Sequence, residues 1–80
     1  MIQGKEILNL SISGSETVEY EDFQQSLDLC VSSGELDITW RENGDKIKLS
    51  AGMAYEINTH KPFKTLNLEG TGQIQIVGRG

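Results

Sequence analysis

His60, Cys30 and the acidic run Glu19, Glu21 and Asp22 are the side chains of this 80-residue chain whose types could do chemistry. A metal site or a nucleophilic dyad needs several such groups brought together, because zinc takes four ligands and a reactive thiolate needs a base or a positive field beside it. His60 is the single histidine, has no cysteine near it in sequence, and precedes Lys61-Pro62 in what reads as a surface loop. Cys30 is the single cysteine, which excludes an internal disulfide, and its neighbours Asp28 and Glu35 supply a negative field, the wrong sign for an activated thiol. The three carboxylates lack the glycine-centred spacing of a twelve-residue calcium loop and read as a solvated acidic strand. Gly70-Thr71-Gly72 opens like a phosphate-binding turn, yet Gln75 stands where the dinucleotide fingerprint wants glycine, and no helix is expected after it. Asn9-Leu10-Ser11 matches a glycosylation acceptor but lies inside an expected strand. The expectation is a non-enzymatic protein with no catalytic, metal-ligating or cofactor-binding residues.

The aromatic residues Tyr20, Phe23, Trp40, Tyr55 and Phe63 belong first to the core of so small a domain. Trp40 beside Arg41, and Tyr55 near Met53, are also types enriched where proteins meet. Trp40, Arg41, Met53, Tyr55, Pro62 and Phe63 are therefore the candidate interface residues. A second use for Trp40 or Tyr55 is to present a ring to a sugar, as in a small carbohydrate- or ligand-binding β module.

These residues need a scaffold, and 8.8 kDa with 36% apolar side chains builds one domain, residues 1–80, around a thin core. With no disulfide and no metal to staple it, partner subunits are the expected support. The net charge of −5 and pI near 4.6 argue against nucleic acid and anionic membranes as partners. The charge is uneven: residues 6–40 hold eight acids and no base, whereas 41–80 hold six bases and four acids. Such a layout is either a solvated acidic face or one that meets the basic part of a neighbouring copy. Met1 to Tyr20 lack a basic start and a long apolar run, so neither a leader nor a membrane span is expected, and the protein is made in the cytoplasm.

Alternation dominates the pattern. Leu8, Leu10 and Ile12 share one face; Leu27, Leu29 and Val31 another; then Leu36, Ile38 and Trp40; Tyr55 and Ile57; Leu66 and Leu68; Ile74 and Ile76. Ser13-Gly14-Ser15, Ser32-Ser33-Gly34, Ala51-Gly52 and Gly70-Thr71-Gly72 read as turns between them. Asn43-Gly44, flanked by alternating apolar residues, predicts a type I′ hairpin. Lys61-Pro62 interrupts a strand, because proline cannot donate to a ladder. Residues 16–26 fit a strand through Val18 and Tyr20, or a helix through Phe23, Leu27 and Val31 with Ser13 and Glu16 mimicking a capping box; strand is preferred, because the helical stripe is narrow. The expected fold is all-β, an antiparallel β-sandwich or small jelly roll of about eight short strands.

The run from Lys46-Ile47-Lys48-Leu49-Ser50-Ala51-Gly52 through Tyr55-Glu56-Ile57, Pro62-Phe63-Lys64-Thr65-Leu66 and Gly70-Thr71-Gly72-Gln73-Ile74-Gln75-Ile76 resembles small all-β virion proteins of phages. The resemblance implies a capsid decoration or cement protein, or a head–tail connector component. Such a protein would form a homo-oligomer such as a trimer, bind other virion proteins such as the major capsid protein, and reside in the virion. No functional residue carries over from it position by position.

Overall fold

A computed structural model describes residues 1–40 and 46–78 of the chain. Its strands are β1 (Ile2–Gln3), β2 (Ile7–Thr39), β3 (Lys46–Ser50) and β4 (Ala54–Gly78). Fully extended, a strand of 33 residues would run roughly 110 Å at about 3.3 Å per residue. The longest dimension of the molecule is 28 Å. β2 and β4 must therefore bend repeatedly while staying hydrogen-bonded, and the register shows how they do so.

Residues 65–77 of β4 form the central strand. One edge pairs antiparallel with the first part of β2, as in Leu8 with Ile76 and Val18 with Leu66; the other pairs with the later part, as in Leu29 with Ile76 and Ile38 with Leu68. β3 extends the sheet beyond Glu35–Thr39, and the start of β4 pairs through Tyr55 and Ile57 with Leu29 and Leu27. β1 adds one short parallel pair, Ile2 with Val18 and Gln3 with Glu19, so the sheet is mixed and not purely antiparallel.

Two halves result. In one, segments 7–12, 72–77, 27–31 and 54–57 lie side by side; in the other, 14–19, 65–70, 34–39 and 46–50 do. Between them lies the apolar set that alternation selects, with Ile12, Leu27, Leu29, Leu36, Ile38, Leu66, Leu68 and Ile76 all under 2% exposed. The all-β sandwich or jelly-roll class expected from the pattern is the class observed. Residues 16–19 are strand, Val18 and Tyr20 are buried, and Phe23 is 66% exposed, which removes the helical alternative.

Three expected turns behave differently. At Gly14, Gly34 and Gly70–Gly72 the strands do not end, because both partners of the ladder bend at the same level: Gly14 lies opposite Gly70, and Gly34 opposite Gly72. Gly34 has φ +74°, and a β-carbon there would overlap the Thr71 carbonyl, so the corner admits no side chain. Eight short strands thus merge into four elements. The Ala51-Gly52 turn holds as expected, with the Ser50 carbonyl accepting from Met53 N at 3.0 Å. Lys61-Pro62 does not end a strand, since β4 runs from Ala54 to Gly78, but the register skips from Asn58 to Phe63, which leaves Pro62 outside the ladder. The Asn43-Gly44 hairpin lies outside the described residues, although its flanks pair antiparallel through Thr39–Lys46 and Ile38–Ile47.

Candidate functional site

Segment 4–6 crosses from β1 to β2 and is tied at both ends. Gly4 N donates to the Glu19 carbonyl at 2.7 Å, and Gly78 N, at the end of β4, donates to the Glu6 carbonyl at 2.7 Å. Under this strap lies Tyr20, on the inward face that alternation shares with Val18. Its ring packs so closely on Gly4 that a β-carbon there would overlap the ring carbons. Beyond Tyr20 the chain bends through Glu21, Asp22 and Gln24, where Gln24 Nε2 donates to the Asp22 carbonyl at 3.0 Å.

Strap, bend and strand end enclose an open depression of about 490 Å³, within the range of small-molecule sites. Lys5, Glu6, Glu21, Asp22, Gln24 and Tyr20 line it. Three carboxylates against one ammonium give it a negative field. A neighbouring depression of about 380 Å³ shares Tyr20 and Glu21 and adds Gln3 and Glu19. Tyr20 is only 6% exposed, and its phenolic oxygen is buried with no hydrogen-bond partner. A buried hydroxyl left unpaired is unfavourable, and the core Trp40 Nε1 is in the same state. Burial also pushes the phenol up to about 12, which keeps it protonated, at once donor and acceptor, across the physiological range.

The candidate interface residues are dispersed by the fold. Trp40 is 7% exposed, because its alternation with Leu36 and Ile38 turns it to the core, where its ring centroid lies 6.0 Å from that of Tyr55 at 32°. A ring so buried is not presented to a sugar. Phe63 is 5% exposed and also belongs to the core. Met53 and Tyr55 are exposed at 47% and 38%, Pro62 is exposed, and Arg41 lies outside the described residues. His60 and Cys30 are both exposed, and neither lines the depression at Tyr20. Among the described residues no three of His, Cys, Asp and Glu are grouped to hold a metal ion.

The Tyr20 depression was only partly readable in the sequence. Glu19, Glu21 and Asp22 stood out as acidic and Tyr20 as aromatic, but nothing local joins them to Lys5 and Glu6. That junction is made by the parallel pairing of β1, a long-range contact of two residues.

The structure defines an all-β sandwich with a polar depression at one end. Among solved structures, its fold is similar to that of a cupin-2 domain containing protein from Shewanella frigidimarina NCIMB 400, with a TM-score of 0.56 and 21% identity over 91% of this chain and 69% of that one. At this identity the likeness shows the fold. No family model and no curated protein matches the chain. The fold neighbour overturns the virion reading: it is a cupin-2 protein of a bacterium, and the Ala-Gly, Pro-Phe and Gly-Thr-Gly cadence that resembled phage proteins is spent on a turn, a ladder break and a corner of this sandwich. Those devices serve any antiparallel sandwich, so they report the fold and not a place on a particle.

Proposed function

We propose that the chain is a small ligand-binding β module that takes a polar, hydroxyl-bearing small molecule in the depression at Tyr20. The observation that carries this reading is an open depression of about 490 Å³ that hydrogen-bonding side chains from the strap and the bend line together around Tyr20. The cupin-2 fold likeness favours a ligand-binding module in the same direction. Glu6, Glu21 and Asp22 accept hydrogen bonds from hydroxyl groups, and the Gln24 amide both gives and accepts. Phosphorylated ligands are disfavoured, because the acids outnumber Lys5. Binding without turnover is the reading, since the lone histidine and the lone thiol sit elsewhere.

Isothermal titration with a panel of neutral monosaccharides and polyols, glucose and glycerol included, tests it. Saturable binding that weakens about fivefold or more in Gln24→Ala is expected, as for the loss of one hydrogen bond to the ligand. Binding that Gln24→Ala leaves unchanged, or no binding across the panel, would count against it.

A further inference from the structure

The two outer faces of the sandwich differ in charge. On the half built from 14–19, 65–70, 34–39 and 46–50, the outward positions hold Glu35, Asp37, Glu69, Lys46 and Lys48; Asp37 lies between Glu69 and Lys48 in the ladder, and Lys48 Nζ is 3.5 Å from Glu35 Oε1. On the other half, one outward row runs Asn9, Gln75, Cys30 and Ala54 across the four segments, and the next holds Ser11 and Gln73. All six are exposed and none carries a charge. The carboxylates of this face, Asp28 and Glu56, are cross-strand neighbours at one corner, in the row that begins with Ile7 and Val77. Ile7 is 56% exposed. Solubility alone does not explain the difference, because in a chain with 24% charged residues it is served by charge on both faces.

We infer that the face around Gln75 and Cys30 is where a second copy of this chain docks, face to face about a two-fold axis. In such a pairing a patch meets its own copy, so a patch rich in one sign of charge repels itself. Copies with a net charge of −5 repel on approach, and that repulsion is least across the rows without charge. The buried centres of protein interfaces are depleted in charge for the same reason. The amides of Asn9, Gln73 and Gln75 each donate and accept, so they are able to pair with amides of the copy, and Ile7, Val77 and Ala54 add apolar area. Two hollows on this face, of about 420 and 280 Å³, leave room for side chains of the copy. A molecule of 28 × 22 × 20 Å buries on the order of 500 Å² per partner through one face, near the low end for specific association, so monomer and dimer exchange. The Tyr20 depression shares no lining residue with these hollows, so the inference does not depend on the ligand reading.

Sedimentation velocity over a concentration series reaching high micromolar protein tests it, with the rate of maleimide alkylation at Cys30 as a second readout. A monomer–dimer equilibrium is expected, and alkylation that slows as the dimer forms, because the thiol lies within the covered face. Gln75→Glu sets like charges against each other at the centre of the pairing and should weaken dimerisation about tenfold or more at low salt, with the loss shrinking at high salt. Asn67→Glu adds the same charge to the other outer face and should leave dimerisation within about twofold. A monomer at every concentration, a dimer that Gln75→Glu leaves intact, or a dimer in which Cys30 reacts at the monomer's rate would overturn the inference. Equal weakening by the two variants would also overturn it, by assigning the effect to net charge, as would a larger closed ring, which one two-fold face does not build.

Discussion

A phenol held out of water without a hydrogen bond weakens the fold. Tyr20→Phe keeps the ring packed against Gly4 and removes the orphan oxygen, so it should raise unfolding stability in urea by about 1 kcal/mol. A variant less stable than wild type would show that the hydroxyl has a partner within the fold. The same residue sets an alkaline limb. Its folded pKa is about 12, against an ordinary value of 10.0. Between these values the unfolded chain releases the proton first, so rising pH favours unfolding. By pH 12 this should cost on the order of 2 kcal/mol, and the pH dependence of Tyr20→Phe should be flatter by that amount. Single residues were legible in the sequence wherever water against core decides the outcome. Cys30 is exposed and Leu29 and Val31 are buried as their alternation demands, and Trp40 follows Leu36 and Ile38 inward. An unmet hydrogen bond was not legible, because it depends on which segment happens to cross above the ring.

At the scale of elements, the corners decide the architecture. Ser13-Gly14-Ser15 and Gly70-Thr71-Gly72 have the composition of reversals, and composition does not distinguish a reversal from a bend shared by two paired strands. The register makes the distinction by placing Gly14 opposite Gly70 and Gly34 opposite Gly72. Gly34→Ala would face both a positive φ and the Thr71 carbonyl, whereas at Gly14 the φ is +103° but a β-carbon meets nothing within 4 Å. The expected cost in chemical denaturation is more than about 2 kcal/mol for Gly34→Ala and about 1 kcal/mol for Gly14→Ala. Equal costs would mean that the corner is not the close backbone crossing described. The turn at Ala51-Gly52 was readable for the opposite reason, since a four-residue turn carries its whole geometry within itself.

At the scale of the molecule, the thin apolar fraction is concentrated: seventeen apolar side chains among the described residues are buried in one continuous cluster. Fold class was legible because alternation, glycine placement and the lack of a convincing helical stripe all pointed to β structure. The site was not legible, because it is assembled from the strap, a bend in β2 and the end of β4, which are brought together by β1 and by single hydrogen bonds. The phage resemblance followed the spacing of turns, which many sandwiches share, and the cupin-2 neighbour overturned the capsid role drawn from it.

The most direct test of the account is an amide chemical-shift titration of the uniformly ¹⁵N-labelled chain with glucose. Saturable shifts are predicted at residues 4–6, 20–24 and 78, around Tyr20. Shifts centred instead on the outer face of the sheet, in the hollow of about 420 Å³ lined by Asn9, Ser11, Cys30, Gln73 and Gln75, would contradict it.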